Sequence, residues 1–318
     1  MIDKYDQWPA RSFALKDYLN DNETERLDIQ NKIEEHFSRV FGYPVVVTSS
    51  GQAAIAALLT YYKANRSQII FVPRWSSHCL WNVTGTYADP TCVSPEKASF
   101  VIVVHKYGFV EKYLPVSGQV IIEDSCDTNF YNNSTLFYNG GDFEIVSLPK
   151  VMGTYSGGLI ICRDHKLAQH LRQLTKDFRD YNAFAGRQRY DGFVRPGAGF
   201  ADPEVFERRN FSPDLTVLTT VYDNLAQFSV NQATIMERLA YIKRRAPRLL
   251  EETPALSDGR LPPVLPVSLS SEMPEFLLTK HINISGNLNC AKYVRHALIP
   301  LHFGVEDNIF KSIVELLS

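Results

Sequence analysis

The chain has 318 residues, 45% of them hydrophobic and 21% charged, and its 33 Lys and Arg against 35 Asp and Glu leave a formal net charge of −2. That length encloses a large core and fits one large domain with an appendage, or two domains, while the near-neutral balance lacks the basic footprint of a nucleic-acid protein. No apolar run approaches the ~20 residues of a membrane span, and the hydrophilic start MIDKYDQWPARS has no signal-peptide pattern, so the expectation is a cytoplasmic globular protein.

Helical and strand periods alternate through the first half. Ile29, Ile33, Phe37 and Val40 fall on one helical face. A short strand over 45–48 follows Pro44, and an Ala- and Leu-rich helix is predicted over 52–64. Apolar runs at 69–72, 101–105, 119–123, 145–147 and 159–162 read as further strands, after which Asp164 caps a helix reaching about Thr175. Continuous apolar strands separated by helices predict an α/β fold whose mostly parallel central sheet is covered on both faces. The polar, Arg-, Gly- and Pro-rich stretch 187–210 reads as an irregular excursion. Ser212-Pro213 then supplies an N-cap and a first-turn proline for one long helix, striped by Leu215, Leu218, Val221, Leu225, Phe228, Ile235, Leu239 and Ile242. Four prolines and a glycine in 253–266 mark a boundary between a large domain, 1–252, and a small one, 253–318. The latter holds strands at 264–269 and 297–302 and a terminal helix with Ile309, Ile313 and Leu317 on one face.

The five cysteines, Cys79, Cys92, Cys126, Cys162 and Cys290, are widely spaced with no CxxC pair. They read as small apolar residues in or near a core rather than as a disulfide framework or a metal site.

Three segments carry chemistry, each at the carboxyl end of a predicted strand, where open α/β sheets place ligands. In the first, a strand runs through Ser50-Gly51-Gln52 into a helix. Backbone N–H groups and the dipole at such a start suit a phosphate, although Ser-Gly is also an ordinary cap. In the second, a buried strand ends in Glu123-Asp124: either acid could cap or pair with an Arg, and either could hold a cationic ligand atom such as a pyridinium nitrogen. In the third, Lys150 follows an apolar strand and Pro149, with Gly153, Gly157 and Gly158 close behind. A lysine is commonly a solvated surface residue; set in a pocket its pKa would fall, giving a nucleophilic amine. No G-x-G-x-x-G follows the first strand, and Gly197-Ala-Gly199 lies in the polar stretch, so NAD chemistry has no support.

In order and spacing these segments resemble the DegT-like family of PLP-dependent nucleotide-sugar aminotransferases. The family's Ser-Gly-Thr-x-Ala-Leu turn stands here as Ser50-Gly51-Gln52-Ala53-Ala54-Ile55. Its His-x-Tyr-Gly is His105-Lys106-Tyr107-Gly108, and its Glu-Asp-Ala-Ala-Gln is Glu123-Asp124-Ser125-Cys126-Asp127. Its Schiff-base lysine and following Gly-Gly align with Lys150 and Gly157-Gly158. The resemblance implies a type I aminotransferase fold and pyridoxal 5′-phosphate as cofactor. It implies catalytic roles for Lys150 and Asp124, and cofactor contacts from Ser50, Gly51, Gln52, Asp127 and Ser147. It further implies an aromatic stacked on the cofactor ring. Counting from Pro73 lands on Ser77, so His78 is expected in that role, with Trp75 in reserve. Asn210 stands where the family's Asn reaches a partner's cofactor phosphate, or it orders the turn before Ser212. A homodimer with shared active sites, glutamate or a similar donor, and a keto-sugar acceptor, usually nucleotide-linked, complete the picture.

The departures are specific. Gln52 replaces a Thr, Ile145 a Ser (Ser147 substituting), Asp127 a Gln, and Ser212 an Arg. Two acids beside one ring repel, so one is expected to stay protonated or to recruit a cation. They leave open a PLP enzyme with other chemistry or a small substrate, and a non-catalytic relative. The chain is short for the family, and the shortage falls after Thr253, so the small domain is expected to be reduced and the site more open.

Overall fold

A run such as Phe100–Val104 has no polar face to offer water, so it is stable only with both faces covered. The computed structural model, which describes residue 9 and residues 22–177, 211–251, 253–269 and 296–318, provides that cover. The stretch 187–210, Asn210 and Cys290 lie outside the described residues.

Helix α1 (Glu23–Phe41) starts at Asn22, whose side chain accepts from the N–H groups of Thr24 and Glu25, and stops at Gly42 with φ 71°. Its buried stripe runs Ile29, Ile33, Phe37, Phe41 in steps of four. The predicted Val40 is 38% exposed; Phe41 takes the inner position, packing with Phe37 and Phe228. Then follow β1 (Val45–Thr48), α2 (Gly51–Tyr61), β2 (Ile69–Phe71), α3 (His78–Tyr87), β3 (Asp89–Thr91), β4 (Phe100–Val104) and β5 (Val120–Asp124). After these come β6 (Asn129–Phe130), β7 (Phe143–Ser147), α4 (Leu148–Met152), β8 (Gly158–Cys162) and α5 (His165–Asp177). Asp164 caps α5 as predicted, accepting from the N–H groups of Lys166 and Leu167.

The central sheet has seven strands in the order β1-β8-β7-β5-β4-β2-β3. β8 runs antiparallel to both neighbours and every other pairing is parallel. Register pairs Val104 with Asp124 and Asp124 with Ile145, so β4 and β5 end at one level, β7 running two residues beyond. Because β8 is reversed, its first residue, Gly158, sits at that same end beside Thr48, and Ser50 bridges Gly157. One face of the sheet packs on α2 and α3 through Ile102, Ile122, Ile145 and Ile160. The other packs on α1 and the helices after Phe211 through Val47, Val146 and Leu159.

The long helix expected from Ser212 is two: α6 (Leu215–Asp223) and α7 (Leu225–Arg245). The cap is Asp214, which accepts from Val217 N at 2.8 Å; the Ser212 hydroxyl is taken by Arg26. The break falls at Asn224, whose side chain donates to the Thr220 carbonyl. The predicted stripe is otherwise buried, with Leu225 and Leu239 at its margins. α8 (Pro247–Glu251), β9 (Arg260–Leu261), β10 (Val264–Ser268), β11 (His296–Pro300) and α9 (Asp307–Leu317) complete the described chain.

β10 and β11 form an antiparallel pair over a second apolar cluster shared by α7, α8 and α9, into which Tyr107 and Phe109 also reach. α9 buries Phe310, Ile313 and Val314, while the expected Ile309 and Leu317 sit half-buried at its edge. Cys162 lies in the core and Cys126 is half-buried, but Cys79 and Cys92 are exposed, contrary to the core reading. Among the described residues no helix is long and apolar enough to cross a membrane.

Candidate active site

The ends of β4 and β5 are locked to each other by a buried latch. Glu123, with no solvent exposure, accepts from His105 Nε2 (2.9 Å), from Asn139 N (2.9 Å) and Nδ2 (3.1 Å), and from Gly141 N (3.3 Å). His105 Nδ1 accepts from Glu111 N, which puts the ring proton on Nε2. Neither an N-cap nor an Arg occupies Glu123; burial still pushes its carboxyl above the usual range, against the pull of those donors. Just beyond His105 the chain turns through Tyr107 (φ 54°, ψ 29°) and Gly108 (φ 79°), and Lys106 is buried with its Nζ 4.4 Å from the Tyr107 ring centroid.

Asp124, Asp127 and Lys150 line one cavity that is open to solvent, together with Trp75, Lys106 and Cys126. Asp127 lies between two ammonium groups: its Oδ1 accepts from Lys150 Nζ and its Oδ2 from Lys106 Nζ, each at 2.5 Å. Burial pushes its pKa up, but the two lysine charges outweigh burial and hold the carboxyl well below the usual range. For Lys150, burial works against the charge, yet Asp127, with lesser help from Cys126 and Cys79, raises the amine above the ordinary lysine value. The expectation that the pocket lowers the pKa of Lys150 is therefore corrected: an ion pair, absent from the apolar surroundings read in the sequence, reverses the sign. Asp124 Oδ1 accepts from Cys126 N at 3.0 Å; burial raises its carboxyl and the neighbouring Asp127 adds to the effect. The two acids thus resolve their repulsion by different routes, Asp127 recruiting cations and Asp124 gaining proton affinity.

Helix α2 begins beside this cavity. Ser50, in extended backbone, caps it by accepting from Ala53 N at 3.1 Å. A Cβ on Gly51 would lie 2.9 Å from Cys126 Sγ and 3.5 Å from Ser147 Cβ, so the turn abuts the cavity wall and Ser147 flanks it. A Cβ on Gly158 would lie 2.4 Å from the Ser50 carbonyl carbon, so only glycine lets β8 start against the turn. Gln52 is half-buried and its amide donates to the Cys79 carbonyl at 3.4 Å, tying α2 to α3. A helix start with a flanking hydroxyl suits a phosphate, a buried acid suits a cationic ring nitrogen, and a lysine amine suits an aldehyde. These residues fit pyridoxal phosphate.

His78 does not join them. It opens α3 at the surface, outside the cavity lining, whereas Trp75, three residues earlier, forms part of the wall. The residue missed in the sequence is Lys106. Its signal was present: like Lys150, it directly follows an apolar strand end. Arg260 of β9 donates to Ser125 Oγ (2.6 Å), the residue after Asp124, and pairs with Glu144 (2.6 Å), both ion-pair side chains fully buried.

A seven-stranded sheet of this order, with an amine, an acid and a helix start at its carboxyl edge, is the architecture of the type I aminotransferase fold. Residues 33–317 match a protein-family model described as "Putative PLP-dependent aminotransferase", and the chain belongs to that family of PLP-dependent aminotransferases. Among solved structures, NtdA from Bacillus subtilis with bound PMP aligns at TM-score 0.63 and 16% identity, over 98% of this chain and 85% of that one. A DegT/DnrJ/EryC1/StrS aminotransferase from Brucella abortus aligns at 0.64 and 14%, over 96% and 90%. A protein described as "Putative sugar aminotransferase Spr1654" from Streptococcus pneumoniae, in its PMP form, aligns at 0.63 and 14%, over 96% and 97%. At such identities the likeness is one of fold. No curated protein matches the sequence.

Proposed function

We propose that the protein moves an amino group from glutamate or a similar donor to a keto-sugar, nucleotide-linked, in surface-polysaccharide or related sugar biosynthesis, working as a homodimer. The observation that carries the reading is the single cavity shared by Lys150 and Asp124 beside the start of α2. The sugar acceptor is supported by the fold shared with a protein described as a sugar aminotransferase.

In this reading Ser50, Gly51, Gln52 and Ser147 hold the phosphate, Asp124 faces the ring nitrogen, and Trp75 walls the cavity. The cofactor, when bound, supplies an electron sink and carries the amine between the two substrates. Lys150 Nζ, once it leaves Asp127 and gives up its own proton to solvent, takes a proton from the donor's α-carbon and later returns one, acting as base and then acid. A cationic ring nitrogen facing Asp124 would offset the burial that raises its carboxyl.

The test is to purify the protein with PLP, record its visible absorbance, and then add glutamate followed by a nucleotide-linked keto-sugar. The expected result is a visible band that is lost in Lys150→Ala, bleaches with glutamate and returns with the keto-sugar. A band unchanged in Lys150→Ala refutes the site, and a band indifferent to every amino donor refutes aminotransfer. Sedimentation of the loaded protein as a monomer refutes the dimer.

A further inference from the structure

Lys106 has no part in the reading above, yet its ammonium group shares Asp127 with that of Lys150. Its backbone is fixed: His105 is latched to Glu123, and a Cβ on Gly108 would lie 3.2 Å from the Leu261 carbonyl oxygen. Its side chain is 10% exposed against 6% for Asp127 and 30% for Lys150. A lysine buried that deeply needs a partner, and Asp127 Oδ2 is that partner. Asp127 gives one oxygen to each lysine, so the two cations compete for one charge and repel each other across it. Among the described residues, the charged and titratable groups facing Lys150 include Asp124, Asp127, Lys106, Cys126 and Cys79, and Lys106 is the cation of this set.

We propose that Lys106 is a positioning residue for the transamination: it retains Asp127 as a neutral ion pair and so releases Lys150 Nζ, the more exposed of the two amines, to react. The proposal deepens the reading of Lys150 given above and rests on it for its functional meaning. With Lys106 in place, Lys150 leaves behind a carboxylate that is already compensated. Without it, Lys150 is the counter-ion that the described residues leave to a buried charge, and its departure strands that charge.

The test uses the full chain freed of cofactor and reads the rate at which Lys150 is acetylated by trace acetic anhydride, measured on its peptide by mass spectrometry. Lys106→Met is expected to slow labelling at about pH 9 by about tenfold, the equivalent of one pKa unit. Lys106→Arg, which keeps the charge, should restore the rate to within about twofold of the native chain. Lys106→Met/Asp127→Asn removes both charges and should label at least as fast as the native chain. Lys106→Gln, closer in shape, serves as a second neutral variant should the methionine variant not fold, with the same slowing expected. A labelling rate in either neutral variant within about twofold of the native chain overturns the proposal, as does equal slowing in Lys106→Arg. Labelling is read without cofactor, so it fails separately from the visible band of Lys150→Ala, which decides the proposed function.

Discussion

Replacing Gly158 with alanine pushes a methyl group into the turn that begins α2. The new Cβ would lie 2.4 Å from the Ser50 carbonyl carbon, 2.5 Å from its oxygen and 2.7 Å from Gly51 N. These are backbone atoms, held by the pairing of Thr48 with Gly158, the bridge from Ser50 to Gly157 and the Ser50 cap, so none swings aside as a side-chain tip does. Relief requires a shift of about 1 Å in either β8 or the turn, the upper end of overpacking costs, about 3 kcal/mol. For a chain of 318 residues that corresponds to a melting point lower by about 4–5 °C. The same shift moves the N–H groups of the turn, so affinity for PLP should fall by roughly 100-fold. Gly85→Ala is the control: in α3 its Cβ would meet only Pro90 Cγ, at 3.7 Å, and helix propensity should add up to about 1 kcal/mol. Thermal unfolding by circular dichroism and a fluorescence titration with PLP read both effects. A Gly158→Ala chain that melts within about 2 °C of the native one and binds PLP equally well would refute the close approach.

Trp75→Ala should weaken PLP binding about tenfold, since it removes a wall of the cavity, while His78→Ala should leave the dissociation constant within about twofold; the same titration decides between them. Asp124→Asn should cut turnover of the loaded enzyme by roughly 100-fold or more. The same variant should stabilise the cofactor-free chain at neutral pH. The raised carboxyl of native Asp124 binds its proton more tightly folded than unfolded, so its contribution is whole below the ordinary carboxylate range and is lost as pH rises through the raised value. Asn has no charge to desolvate, and urea midpoints measured from acid to neutral pH should fall less steeply in the variant.

The strands were legible because both their faces are buried, which writes them as unbroken apolar runs such as Phe100–Val104 and Gly158–Cys162. Direction is not written that way: nothing in Leu159-Ile-Ile distinguishes a parallel strand from the antiparallel β8. Helix α3 was missed because His78–Tyr87 buries only Leu80, Val83 and Thr84, too few for a stripe. The cap moved from Ser212 to Asp214 because a distant residue, Arg26, holds the serine hydroxyl, which no local pattern reports. Asp124 and Lys150 were readable because each sits at or just beyond a strand end on one edge of the sheet, whereas Asp127 was singled out only by the resemblance to a family motif. The charge state of Lys150 was not readable, since it depends on a contact with Asp127 across 23 positions of chain.

Arg260 ties the central sheet to a strand that is synthesised late. Ser125 and Glu144 belong to the sheet, more than 100 positions earlier, and Glu144 is buried without any solvent exposure. Until β9 pairs with β6 and brings Arg260 under Ser125, that carboxylate has its largest neutralising charge missing. A chain still emerging from the ribosome therefore holds the strands of the sheet well before it holds the counter-ion buried against them. Neutralisation of that buried charge becomes a late event in folding, gated by a long-range closure rather than by the formation of the sheet.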